Sequence, residues 1–146
     1  MTEKKQAKSK IIYPEEFNSN YIFTYFSLNK ELKTLLEESG QKRNFSRKYK
    51  IKLSFLEKLK KQCIYHESFE QLKDNGIIYS MRFVDKLNIR ILFSFFNDRG
   101  KEIVILLNCF QEKDNKKKQS SKSYTKAIEV AKERINELIN SGLKLS

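Results

Sequence analysis

The sequence predicts an α+β protein in which helices pack on one face of a mostly antiparallel sheet. Between residues 29 and 63, apolar side chains recur every three or four positions, which is the period of an amphipathic helix. Between residues 76 and 110 they recur at alternate positions, which is the period of a strand. The helical period returns after residue 121. The predicted order is therefore β-α-α-β-β-β-α, and 146 residues favour a single domain.

The first half of the chain is predicted to contribute one strand and two helices. The strand is the short aromatic run at residues 21–27. Asn29 can cap the helix that follows, and Gly40 can end it. The second helix is expected to begin near Asn44 or Ser46, with one apolar side facing the core. That side carries Phe45, Tyr49, Leu53, Leu56, Leu59 and Cys63.

The second half is predicted to form a three-stranded meander followed by a helix. The strands cover residues 77–83, 89–96 and 102–110, and the third is apolar on both sides, as expected for a central strand covered on both faces. The sequence Asn-Asp-Arg-Gly at residues 97–100 is typical of a hairpin turn. The final helix is expected to start near Ser121 or Ser123. Its buried side carries Tyr124, Ala127, Ile128, Ala131, Ile135, Leu138 and Ile139.

The N-terminal segment is predicted to lie outside the domain. Residues 1–18 are expected to form a flexible basic tail, and residues 19–146 the domain itself. The apolar triplet at residues 11–13 could nevertheless dock on the sheet or on a partner. The first ten residues are charged and lack the apolar core of a signal peptide, and no apolar run is long enough to span a bilayer. We therefore expect a cytoplasmic protein without a membrane partner.

Charge is the most informative feature of the composition. The chain has 30 Lys and Arg against 18 Asp and Glu, for a formal net charge of +12. Such an excess attracts polyanions and accelerates association with nucleic acid. A solvated lysine-rich surface would have the same composition, so the charge suggests a nucleic-acid partner without establishing one.

Familiar catalytic and metal-binding patterns are missing from the sequence. Cys63 and Cys109 form no CxxC motif and are expected to be reduced thiols. His66, the single histidine, leaves too few ligands for a typical zinc site and is expected in a surface loop. We therefore expect neither a metal nor another cofactor. RNA cleavage needs none, because the 2′-hydroxyl can attack the adjacent phosphate while cations stabilise the transition state and a tyrosine or lysine protonates the leaving oxygen.

Two arginines are the leading candidates for such a site. Arg82 and Arg90 are predicted on adjacent strands and on the same side of the sheet, and Lys113 follows the last strand. Together these cations could form a pocket large enough for a phosphate. Each arginine could instead pair with a nearby acid such as Glu102 or Asp85. The sequence leaves both interpretations open.

Further cations are candidates for binding RNA away from the reacting phosphate. They either follow the last predicted strand or lie on the outer side of the second predicted helix. These candidates are Arg47, Lys48, Lys116, Lys117 and Lys118. The lysine run could equally be a solvated loop.

Four short motifs give the chain a resemblance to a known family. They are IYSMRF at residues 78–83, IRILFSFF at 89–96, IVILLNCFQEK at 103–113 and AIEVAKERINEL at 127–138. In this order and spacing they resemble the RelE/ParE toxin superfamily, in particular its phage-derived, HigB-like branch. The two upstream helices extend the resemblance to about residues 21–140.

The resemblance implies a RelE-like fold and the toxin of a type II toxin–antitoxin system. Such toxins cleave mRNA, often on the ribosome. Arg90 matches the family's phosphate-binding strand arginine, Arg82 the basic strand position before it, and Lys113 the cation after the last strand. Tyr124 could serve as the family's C-terminal tyrosine, or it could be a core tyrosine. The expected partners are mRNA and a cognate antitoxin with a helix-turn-helix domain, whose acidic segment would suit the basic chain.

Two other functions of the same fold stay open at this point. One is a ParE-like gyrase poison, although such proteins lack the cationic site. The other is an RNA- or protein-binding member without catalysis, which is favoured by departures from the family pattern. Ser80 stands where the family has a glutamate, and Asp114 follows Lys113 where a second lysine is usual.

Overall fold

The computed structural model of the chain describes residues 8–112 and 122–146. The predicted α+β class is confirmed, and the predicted elements appear in the predicted order together with short additional strands. The elements are β1 (Lys8–Ser9), β2 (Ile22–Tyr25), α1 (Leu28–Leu36), α2 (Lys42–Leu59), a 3₁₀ helix (Lys60–Tyr65), β3 (Phe69–Gln71), β4 (Tyr79–Arg82), β5 (Ile89–Asp98), β6 (Lys101–Gln111), α3 (Lys122–Asn140) and β7 (Lys144–Leu145).

The strands form one sheet in the order β1-β2-β6-β5-β4-β3, and β7 pairs with part of β5. The predicted meander β4–β5–β6 is antiparallel throughout, and Arg99 and Gly100 adopt the positive φ values that a tight hairpin turn requires. The sheet is mixed, because β2 pairs with β6 in parallel. A parallel neighbour needs a long connection, and α1, α2 and the rest of the sheet provide it.

Helices cover both faces of the sheet, so the expectation that all of them share one face is wrong. The helices α1 and α2 pack on one face, around a cluster that includes Ile91, Phe93 and Leu106. The helix α3 packs on the other face, against Leu92 and Ile105. The cause lies in β6, whose central residues are apolar on both sides and need cover from both directions. This arrangement places a second core above Arg90.

A flexible tail was expected at residues 1–18, but from residue 8 onward the chain packs on the domain. The strand β1 pairs with β2, and the Lys8 ammonium lies 2.7 Å from Asp98. Ile11 is buried in the core, which agrees with the alternative prediction that the apolar triplet at residues 11–13 docks on the sheet. Residues 1–7 lie outside the part of the chain that the structure describes.

Arg134, from the fourth resembling motif, has a structural role. Its guanidinium donates hydrogen bonds to the Glu31 carboxylate at 2.5 and 2.7 Å and to the Leu107 carbonyl at 2.8 Å. These contacts join α1, α3 and the edge of β6 beyond the point where β2 ends. A paired carboxylate and guanidinium with this geometry is among the stronger polar contacts in proteins.

Candidate functional site

Arg82 and Arg90 lie directly opposite each other on β4 and β5, as neighbours in the ladder. Their side chains nevertheless enter different surroundings. The Arg82 side chain reaches a surface cavity beside α2, whereas Arg90 is buried with 1% of its surface exposed. The suggested pairing with acids does not occur among the described residues either: Asp85 pairs with Lys48, and Glu102 with Lys61.

Arg90 belongs to a buried polar cluster under α3. Its Nη1 donates to the Ile89 carbonyl at 3.2 Å and to Asn88 at 3.4 Å, while its Nε has no hydrogen-bond partner among the described residues. Because α3 covers this part of β5, the guanidinium does not face solvent. The structure therefore does not present Arg90 to a ligand in the way that the family resemblance implies.

Tyr124 lies in the same cluster and is buried, as expected of a core tyrosine. Its hydroxyl donates to a Glu70 carboxylate oxygen at 3.2 Å and lies 3.3 Å from the Ser80 hydroxyl. Burial raises the pKa of Tyr124 and the Glu70 charge adds to this, whereas hydrogen bonds with Ser80 and Arg90 lower it. The structure thus brings Tyr124 and Arg90 together, but in the interior.

Three half-buried cations surround the cavity that Arg82 reaches. This cavity, called here the cationic pocket, has a volume of about 410 Å³ and lies between α2 and the edge of the sheet at β3 and β4. It is lined by Lys48, Lys52, Glu67, Ser68, Arg82, Phe83 and Val84.

Local structure explains why these side chains converge. Lys48 and Lys52 are four residues apart on α2, so they lie one above the other on the same side of the helix. Arg82 is the last residue of β4, where the strand leaves the sheet. The neighbouring strand β3 is only three residues long, and Ser68 precedes it immediately. The short edge leaves room for the cavity.

Hydrogen bonds hold the three cations at the pocket. The Lys52 ammonium donates to the Ser68 hydroxyl at 2.7 Å, and the Lys48 ammonium lies 3.1 Å from an Asp85 carboxylate oxygen. The Arg82 Nη2 donates to the Glu67 carbonyl at 2.6 Å. The Arg82 Nε is buried and has no hydrogen-bond partner among the described residues.

The electrostatics of the pocket favour an anion. Burial is the main cause that lowers the pKa of Lys52, and the charges of Lys48 and Arg82 lower it further. The carboxylates of Glu67 and Asp85 act in the opposite direction. Three cations held close enough to repel one another are stabilised by a bound anion, and a phosphate offers acceptors to all of them.

The pocket unites two of the predicted residues with others that the sequence analysis missed. Arg82 and Lys48 were predicted, although for separate roles. Lys52 was missed, and its spacing of four from Lys48 is the signal that could have found it. Arg47 is exposed, donates to Asn44 at 3.0 Å and does not line the pocket. The remaining predicted cations lie outside the described residues; they are Lys113, Lys116, Lys117 and Lys118.

Comparison of the chain with family models, curated proteins and solved structures finds no match. Across residues 8–112 and 122–146, no helix is long and apolar enough to cross a membrane. Within the same ranges, no three Asp, Glu, His or Cys residues come together as a possible metal site. The cationic pocket and the four resembling motifs are therefore the features of this chain that bear on its function.

Proposed function

We propose that the chain is the toxin of a type II toxin–antitoxin system and acts as a metal-independent, translation-linked mRNA endoribonuclease of the RelE/ParE superfamily, in its HigB-like branch. The observation that carries the proposal is the cationic pocket, in which Lys48, Lys52 and Arg82 converge beside the carboxylate-bearing residue Glu67. Arg82 also belongs to the first resembling motif. The order of helices and strands, and the meander that holds Arg82, support the RelE-like fold.

The pocket contains the groups that phosphate transesterification requires. The 2′-oxygen of a bound RNA attacks the adjacent phosphorus, a new P–O2′ bond forms, and the P–O5′ bond breaks to leave a cyclic phosphate. Arg82 and Lys48 stabilise the negative charge that develops on the phosphate oxygens. The Glu67 carboxylate accepts the 2′-hydroxyl proton, and Lys52 donates a proton to the leaving 5′-oxygen. The lowered pKa of Lys52 suits a proton donor.

The burial of Arg90 and Tyr124 supports a second candidate function. If the family's chemistry requires both side chains at the phosphate, this chain binds RNA through the cationic pocket without cleaving it. Such a protein would show RNA binding that weakens steeply with salt, because the contacts are made to phosphates. A ParE-like action on gyrase has no supporting observation among the described residues.

Induced expression of the chain in a bacterial host tests the proposal directly. We expect growth to stop and translated mRNAs to acquire new ends, and we expect the purified protein to leave 2′,3′-cyclic phosphates on RNA. RNA binding without new ends would support the second candidate. Gyrase-linked DNA breaks without mRNA cleavage would support the ParE-like alternative. Unchanged growth and no RNA binding would contradict the proposal.

The proposed partner is a cognate antitoxin with a helix-turn-helix domain. The net charge of +12 and the cationic pocket suit an acidic antitoxin segment, which would compete with RNA for the same cations. Copurification of the chain with the product of an adjacent short reading frame would test this part of the proposal. Loss of RNA binding in the copurified complex is the expected result.

The lowered pKa of Lys52 predicts how RNA binding depends on pH. Because the ammonium loses its proton at a lower pH than an ordinary lysine, binding should weaken by about tenfold during an alkaline titration, before the exposed lysines titrate. The variant Lys52→Arg stays charged throughout and should lack this early loss. Fluorescence anisotropy with a short single-stranded RNA measures both curves. Superimposable curves would show that Lys52 does not contact the RNA.

A further inference from the structure

An aromatic pair lies beside the cationic pocket. The rings of Phe55 and His66 are stacked at a tilt, with centroids 4.5 Å apart and an interplanar angle of 34°. Phe69 supports the imidazole edge-on from the core, with a centroid distance of 5.9 Å. Phe55 itself is 37% exposed, and the neighbouring Tyr65 is 86% exposed. Single exposed apolar residues are common on protein surfaces, so the position of these rings beside cations, and not their exposure, suggests a role.

Ser68 connects the aromatic pair to the pocket. Its backbone N–H donates to the His66 Nδ1 at 3.1 Å, and its hydroxyl accepts the hydrogen bond from Lys52 at 2.7 Å. The first contact fixes the imidazole ring and leaves the proton of the neutral ring on Nε2. Phe55 follows Lys52 by three residues on α2, so both side chains lie on the same side of that helix. The aromatic surface and the cations therefore form one continuous site.

From this juxtaposition we propose that Phe55, backed by His66, is a stacking platform for an unpaired RNA base whose phosphate occupies the cationic pocket. The inference rests on the proposed function and specifies its substrate class as single-stranded RNA. An aromatic face beside phosphate-binding cations is the usual means of binding single strands. In a duplex the bases stack on one another, so the platform selects against paired RNA.

The chemistry of the pocket favours a nucleotide over an acidic protein helix as the occupant. A docking helix needs a continuous apolar groove for its apolar side. Here most lining residues of the cavity are polar or charged, and the exposed aromatic ring lies beside it. A phosphate with an attached base supplies an anion to one part of the site and a flat ring to the other.

Binding of a short unstructured RNA and of the corresponding duplex, measured at equal salt by anisotropy, tests the platform. We expect Phe55→Leu to weaken single-strand binding by about 5- to 100-fold, the effect of losing one base–aromatic stack, with no change for the duplex. Phe55→Trp should restore binding. Ile51→Leu, one helical turn away at another exposed apolar position, is the matched control and should bind as the unchanged chain does. Thermal unfolding checks that each variant is folded.

A fluorescent base analogue gives a readout that does not depend on affinity. The fluorescence of an RNA that contains 2-aminopurine should be quenched when the RNA binds the unchanged chain or Phe55→Trp. At saturation, Phe55→Leu should quench this fluorescence much less. If Phe55→Leu keeps its affinity and quenching while Lys52→Met loses affinity, the platform is wrong and the proposed RNA binding stands. If the unchanged chain binds no RNA, both proposals are wrong. A loss of affinity for an acidic peptide, but not for RNA, would also overturn the platform.

Discussion

Replacing Lys52 by Met together with Arg82 by Gln should abolish growth arrest and reduce RNA cleavage to background. Loss of one preorganised donor to developing negative charge costs about 10²- to 10³-fold in rate, and these two side chains contact the same cavity. Lys52→Met also removes the proposed proton donor. The measurements are growth after induction and the rate of appearance of cyclic-phosphate ends on a defined RNA.

A matched pair of substitutions controls for the overall charge. Lys33 on α1 and Lys132 on α3 are exposed and do not line the cationic pocket. The variant Lys33→Met with Lys132→Met removes the same number of charges. Its cleavage rate should fall by no more than a few-fold, because only the long-range attraction to RNA is weakened. Equal losses in both double variants would show that net charge, and not the pocket, produces the activity.

Replacing Arg90 by Ala should destabilise the protein strongly, whereas replacement by Met should not. The Arg90 side chain is buried between β5 and α3, so truncation leaves a cavity and removes the hydrogen bonds to its neighbours. We expect Arg90→Ala to lower the free energy of unfolding by about 2–5 kcal/mol. Met fills much of the volume and removes the cost of burying a charge, so it should lower the free energy of unfolding much less than Ala does. Urea unfolding of both variants measures the difference.

The same two variants separate a structural role of Arg90 from a catalytic one. Since its guanidinium does not face solvent, Arg90→Met should retain single-strand RNA binding and cleavage within about tenfold. A folded Arg90→Met protein that binds RNA but no longer cleaves it would contradict this prediction. That result would show that the buried cluster opens to the substrate, as the family resemblance implies.

Much of the fold could be predicted because local periodicity records which sides of each element are apolar. The hairpin turn at residues 97–100, the apolar stripe of α2 and the double-sided apolar run of β6 were all predicted and are present. The strands β1, β3 and β7 were missed, since two or three residues are too few to establish a period. They form only because an adjacent longer strand offers its edge.

The candidate site was less predictable, because its geometry depends on contacts between distant segments. Arg82 and Arg90 were placed correctly on adjacent strands and on one side of the sheet. Alternation along a strand does not indicate which side of the sheet a later helix will cover. Here α3 covers Arg90, whereas the Arg82 side chain reaches the cavity at the edge of the sheet, where β3 is short.

Arg82 and Arg90 show which features of this chain can be predicted from its sequence and which depend on its tertiary structure. Residue order and period were sufficient for the α+β class, the meander and the presence of strand cations. The accessible pocket required the docking of α2 beside the end of β4, and the burial of Arg90 required the docking of α3 on the other face. Both are long-range packing choices, governed by which apolar surfaces fit together, and no local pattern of residues encodes them.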